Sequence, residues 1–188
     1  MKDFKIPIIS GKLFLDLKKS YTGGSTDMYI PYGENIFGYD VNSLYPTIMK
    51  NEKMPVGKII YFKGDITACA NVTTTPFGFF EVEITAPEHI KHPIIQTKVD
   101  TGNGLRTVSP LGTWKDMLFS HEIENAIKYG YKFKIISGYL FESANIFSEY
   151  IDVLYEIKQS KTKDDPMYLI SKLLLNSLYG RRSRRYGL

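Results

Sequence analysis

The order of elements along the chain predicts an α+β fold with an antiparallel sheet. Two observations carry that reading. Between Gly57 and Ile95 the pattern is strand-like, and Phe80, Val82 and Ile84 alternate with Glu81, Glu83 and Thr85, the period of a half-buried strand. Further on, apolar residues recur at helical spacing in separate blocks, with another strand set between them.

The N-terminal stretch "MKDFKIPIISGKLFLDLKKSY" mixes apolar pairs with lysines and is broken by Pro7 and Gly11, so an extended lead-in with little regular structure is expected. In "YTGGSTDMYIPYGENIFGYDV" Gly23 and Gly24 mark a turn with strands on either side, and "NIFGYDV" reads as a strand. "SLYPTIMKNEKM" reads as a short helix, with Asn42 or Ser43 as N-cap and Pro46 in the first turn, where proline is tolerated. "KIIYF" and "GFFEVEIT" are strands, and "DTGNGLRTVSPLGTW" is a loop or hairpin. "KDMLFSHEIENAIKYGY" reads as an amphipathic helix stopping near Gly130, and "KFKIISGYLFE" as a strand. "IFSEYIDVLYEIKQSK" is a helix, "KTKDDP" a polar break, and "MYLISKLLLNSLYG" a last helix with Gly180 at its C-terminal end. No solenoid-period repeat and no low-complexity tract is visible.

The bulk numbers set bounds. A chain of 188 residues is one ordinary domain or a large piece of a bigger protein. Hydrophobic residues make up 43%, enough for a core. The 14 tyrosines and 11 phenylalanines suit a surface that touches bases or sugars, and equally a β-rich core. A net charge of +4 does not by itself establish nucleic-acid binding. The single cysteine, Cys69, excludes an intramolecular disulfide and a cysteine-based zinc cluster, and fits a reducing compartment. No stretch has the apolar length of a membrane span and the N-terminus lacks a signal pattern, so a soluble protein is expected.

The tetrapeptide NSLY occurs twice, in "FGYDVNSLYPTIMK" and in "ISKLLLNSLYGRR". The surroundings differ, so this is not a duplication. In the first copy Asp40 stands where a strand leads into a helix. Its carboxylate beside the first helical amides can hold a hard cation, and those amides can take a phosphate; alternatively, Asp40 caps the helix and Tyr45 is a core aromatic. In the second copy Lys172 and Asn176 share a helical face, which Tyr179 continues. A lysine in so apolar a helix needs an anion or water. A triphosphate would serve, and so would an ammonium that reaches solvent over its own stem.

Together these stretches resemble the family B DNA polymerases, in the protein-primed branch of phages, viruses and organellar linear plasmids. "DVNSLYP" (Asp40 to Pro46) is similar to the family's motif A, and "KLLLNSLYG" (Lys172 to Gly180) to its motif B. "YTGG" (Tyr21 to Gly24) is similar to the motif that joins the exonuclease and polymerase domains. "GTWKDMLFSHEIENAIKYGY" resembles the family's stretch between motifs A and B. The resemblance implies a polymerase palm with an antiparallel sheet plus fingers helices. It divides the chain into a linker at 1–24, a palm at 25–140 holding a terminal-protein-region insertion at about 91–139, and fingers at 141–188 with a basic tail.

The resemblance also assigns roles. Asp40 would be the first metal-binding carboxylate of a two-Mg²⁺ site, with the Val41 carbonyl as a backbone ligand. Ser43 and Leu44 would offer amides to the incoming triphosphate, and Tyr45 would stack under the sugar and reject a 2′-hydroxyl. Lys172 would contact phosphates, while Asn176 and Tyr179 line the base and sugar side. Lys158 matches an additional phosphate-binding lysine, with Lys161 a competing assignment. Tyr21, Gly23, Gly24, Ser177, Gly180, Arg181 and Arg182 would contact DNA. The implied partners are template and primer DNA, a dNTP and a priming terminal protein.

The pattern departs from the family in several respects. A second metal-binding carboxylate is expected from a Tyr-x-Asp-Thr-Asp type of sequence after motif B, and these 188 residues hold none. "VDTG" (Val99 to Gly102) is a turn instead. Exonuclease domain, motif C and thumb are missing from the pattern, so a polymerase fragment inactive by itself is expected. The alternatives are a non-catalytic nucleic-acid-binding remnant, an inert palm-and-fingers remnant, and a reverse transcriptase, whose paired aspartates are absent. Richness in Lys, Ile, Asn and Tyr points to an AT-rich genome, mitochondrial, linear-plasmid or viral.

Overall fold

The computed structural model describes residues 6–24, 27–64, 66 and 76–185, with side chains described as far as residue 178. Cys69 lies outside the described residues. The fold is α+β. The elements are α1 (Gly11–Lys19), α2 (Leu44–Asn51), β1 (Met54–Lys63), β2 (Gly78–Thr85), β3 (Thr97–Asp100), β4 (Leu105–Val108), β5 (Thr113–Phe119), α3 (Ser120–Lys128), β6 (Lys132–Ala144), α4 (Ser148–Ser160) and α5 (Pro166–Arg185). They fall into two compact units. The first comprises residues 1–25 and 55–142, the second residues 26–54 and 143–188.

The first unit is built on a four-stranded sheet in the order β1-β6-β2-β5. β2 pairs antiparallel with both neighbours, opposite Thr113–Phe119 on one side and Lys132–Leu140 on the other. The register shifts at Glu81/Val82, which leaves Ile136 as an extra residue on β6. Its carbonyl accepts from the Gly64 N–H at 2.8 Å, so that this group is paired despite the bulge. Alternation along the strands sends side chains to two faces. Phe80, Val82, Ile84 and Leu118 form one core with Ile123 and Ala126 of α3. Met117, Tyr139 and Phe141 form the other, covered by Leu13 and Leu17 of α1. β3 and β4 make a separate antiparallel hairpin, Thr97 opposite Val108.

The second unit is helical. α2, α4 and α5 share a core of Met49, Ile151, Leu154 and Leu175, with Met54, Phe147, Tyr155 and Leu178 packed on it. Lys50 of α2 pairs with Asp152 of α4 at 2.5 Å, and the Ser148 hydroxyl donates to the Lys50 carbonyl. Asp165 begins α5: its carboxylate accepts from the Met167 N–H at 2.8 Å, a side-chain cap, with Pro166 just inside the helix.

Four expectations about local structure are corrected. The lead-in is not extended, because residues 11–19 form α1. Leu13 and Leu17 stand four apart and bury on the sheet, which outweighs the lysine-rich composition. Among the described residues the strands expected beside Gly23 and Gly24, including "NIFGYDV", are absent, and residues 35–41 are neither strand nor helix. No described strand lies beside them to accept a ladder, and Phe37 and Tyr39 are 77% and 93% exposed. Lys115–Phe119 is not helical but pairs with β2, so the helix begins only at Ser120. The last helix does not stop at Gly180; its backbone runs on to Arg185.

Candidate functional site

α2 opens inside the first NSLY, at Leu44, and α5 carries the second. Both bury one face in the core of the second unit, through Pro46 and Met49 on α2 and Ser171 and Leu175 on α5. Leu175 is 2% exposed. Lys172 and Asn176 come one residue after these buried positions, about 100° round the helix, and both are exposed. Ser177 is half-buried and donates to the Leu174 carbonyl at 3.4 Å. For Tyr179, Gly180, Arg181 and Arg182 only the backbone is described.

Asp40 and Val41 are exposed in the irregular segment that leads to α2, not at a strand end as expected. Asp40 accepts no hydrogen bond from a described residue. Ser43 occupies the N-cap position, but its hydroxyl does not cap. Its backbone is left-handed instead, at φ 52° and ψ 47°. For a residue with a Cβ that is a strained conformation, costing of order 1–2 kcal/mol, and such strain clusters at ligand sites. Leu44 and Tyr45 open the helix, and both are about half exposed.

Lys158 and Lys161 differ in their surroundings. The Lys158 ammonium sits 5.4 Å from the centre of the Tyr155 ring, at the end of α4. Lys161 lies beyond the helix and reaches Asp165 at 3.8 Å. α4 and α5 are further tied where the Tyr150 hydroxyl donates to the Leu174 carbonyl at 3.4 Å. Tyr45, Lys158, Lys172 and Asn176 thus stand on three helices of one core.

Tyr21, Gly23 and Gly24 belong to the first unit and are exposed. They come directly after α1, and Gly23 has φ +85°, a conformation that glycine adopts without strain. The residues 91–139 span the β3–β4 hairpin, β5, α3 and most of β6. "VDTG" is only half a turn, a correction to the expectation: Val99 and Asp100 end β3, and the chain turns from Thr101 on, where the Asp100 carboxylate accepts from the Gly102 N–H at 2.9 Å.

Among the described residues no group of three or more His, Cys, Asp or Glu could cage a metal ion. At this position the described residues offer the Asp40 carboxylate, which none of them engages, and the neighbouring Val41 carbonyl. That donor set fits Mg²⁺, which takes one or two carboxylates and completes its shell with phosphate oxygens and water.

Sequence reasoning passed over Lys50, Asp152 and Ser148, which fasten α2 to α4. Only the basic residue in the last turn of a short helix hinted at such a tie. It also passed over Asp16 and Tyr139, which anchor α1.

Comparison with known proteins supplies the family. The family described as DNA polymerase type B, organellar and viral, matches residues 1–185. A probable DNA polymerase of Ascobolus immersus is 54% identical over 178 residues, covering 94% of this chain and 14% of the relative. One from Neurospora intermedia is 49% identical over 180 residues, covering 94% and 19%. Among solved structures, phi29 DNA polymerase in an orthorhombic crystal form superposes with a TM-score of 0.70 at 27% identity, over 94% of this chain and 32% of that one. The phi29 polymerase complexed with primer-template DNA and incoming nucleotide substrates superposes at 0.68 with 28% identity, over the same shares. The chain therefore spans about a third or less of the length of these relatives.

Proposed function

The chain belongs to the organellar and viral type B DNA polymerases, and on that footing we propose that it carries the nucleotide-binding part of a protein-primed, DNA-directed DNA polymerase. The reaction is nucleotidyl transfer from a dNTP to a primer 3′-hydroxyl or to the hydroxyl of a terminal protein. One observation supports this best. The helices that bear the two NSLY stretches bury Met49 and Leu175 in one core while Asp40, Tyr45, Lys172 and Asn176 remain exposed.

In this reading Asp40 and the Val41 carbonyl hold Mg²⁺. When bound, the ion polarises the phosphate and offsets its growing charge. Lys172, with Lys158 or Lys161, neutralises the triphosphate, and the Ser43 and Leu44 amides orient it. Tyr45 packs against the sugar and excludes a 2′-hydroxyl, and Asn176 and Tyr179 border the base. Tyr21, Gly23, Gly24, Ser177, Gly180, Arg181 and Arg182 contact the DNA backbone. The palm covers 25–140 and draws on both compact units, the fingers cover 141–188, and residues 91–139 meet the terminal protein. Fungal and phage relatives support a setting in a linear plasmid, a mitochondrial genome or a virus.

The test is calorimetric titration of the 188-residue chain with a dNTP, with and without Mg²⁺. Lys172→Ala is expected to weaken binding about tenfold or more, the loss of a charge-assisted contact, and Asp40→Asn to remove the Mg²⁺ dependence. Affinity unchanged in both variants refutes the reading. Salt-sensitive single-strand binding indifferent to Mg²⁺ and to Asp40→Ala would favour the non-catalytic nucleic-acid-binding remnant.

A further inference from the structure

α1 lies on the sheet of the first unit, and Tyr21–Gly24 comes immediately after it. Leu13 and Leu17 pack against Met117, Tyr139 and Phe141. One polar contact accompanies them: the Tyr139 Oη donates to Asp16 Oδ2 at 2.8 Å. Asp16 Oδ1 is taken by Lys19 at 3.1 Å. Both carboxylate oxygens are thus engaged, one of them across to the sheet.

These groups line a cleft of about 330 Å³ that also includes Lys12, Glu81 and Asp116. Its carboxylates serve the fold. Glu81 accepts from Ser137 at 2.7 Å, joining β2 to β6. Asp116 of β5 accepts from Thr97, the first residue of β3, and so fastens the hairpin to the sheet. Beside Thr97, the Lys98 ammonium lies 5.8 Å from the centre of the Tyr21 ring, within cation–π reach. The Tyr21 N–H donates to the Lys18 carbonyl at 3.2 Å. Tyr21 is therefore held through its backbone by α1 and through its ring by the hairpin, and each of these is bound to the same sheet by a hydroxyl–carboxylate bond.

We propose that Asp16, Tyr139 and Lys98 are positioning residues that fix the Tyr21–Gly24 segment for contact with the DNA backbone. The proposal rests on the DNA reading of that segment. Glycines at its end leave it free to bend, so its direction comes from where α1 ends and from the lysine over the ring. Freed from the sheet, α1 carries the segment out of register with a bound strand.

Fluorescence anisotropy with a labelled single-stranded oligonucleotide tests this on the 188-residue chain. Tyr139→Phe and Asp16→Ala are expected to weaken binding about three- to tenfold, the range of one lost hydrogen bond. Asp16→Asn keeps an acceptor for Tyr139 and is expected to retain affinity, a rescue that loss of folding would not show. Tyr21→Ala is expected to weaken binding, and Asp16→Ala added to it to do no further harm. Lys98→Met, on the exposed hairpin, provides a second route to the same effect should α1 variants misfold. If Tyr21→Ala weakens binding while Asp16→Ala, Tyr139→Phe and Lys98→Met leave it intact, the positioning proposal fails. If Tyr21→Ala itself changes nothing, the DNA reading beneath it fails and the proposal goes with it.

Discussion

Burial and the Asp16 carboxylate together push the Tyr139 phenol up to about 12 from its ordinary 10. Burial would also raise Asp16, but the hydrogen bonds from Tyr139 and Lys19 outweigh it and hold that carboxyl below its usual value. The two shifts bracket a pH range. Tyr139 stays protonated in the folded chain after its unfolded counterpart has begun to ionise, so its stabilisation is complete below about pH 10 and is lost between 10 and about 12. Asp16 contributes above its unfolded pKa of 3.8, and that contribution is lost as pH falls through its lowered folded value. Urea unfolding across pH 9 to about 12 should therefore show a fall in stability that is smaller in Tyr139→Phe. Equal slopes in both chains would mean the bond to Asp16 contributes nothing. None of this was legible in the sequence, because Asp16 and Tyr139 are far apart along the chain. The candidate nucleotide residues were legible, since their motifs are local.

At the scale of elements, period and pairing competed. "GFFEVEIT" alternates cleanly and is β2 as expected. "KDMLF" has helical spacing when joined to "SHEIENAIK", yet Lys115–Phe119 pairs with Glu83–Phe79. A strand needs a partner, and the partner lay some thirty residues back. The reverse held for "NIFGYDV", whose residues alternate but find no described ladder. Two close contacts can be tested. A Cβ at Gly78 would stand 2.0 Å from the Tyr139 carbonyl oxygen. Gly78→Ala should cost about 3 kcal/mol, the upper part of the range for overpacking, measured by urea unfolding. Leu175, buried where α2, α4 and α5 meet, should cost about 2–5 kcal/mol when replaced by alanine. Loss of the same size from Leu173→Ala, whose side chain is 64% exposed, would contradict the packing described.

For the whole molecule, the sheet of the first unit is covered by α1 on one face and α3 on the other, and the second unit closes its own helical core. With one carboxylate available at the proposed metal position, the 188-residue chain should show no Mg²⁺-dependent primer extension in a gel assay. Synthesis abolished by Asp40→Ala would overturn that expectation.

The sequence alone determined the α+β class, most of the strands and helices, and the family, because side-chain period, capping residues and short motifs are properties of neighbours along the chain. Tertiary structure decided the rest: that α1 is a helix, that β5 is a strand, and that α2 and α5 share one core. Those outcomes depend on which surfaces find each other for burial and hydrogen bonding, and a linear pattern does not specify that.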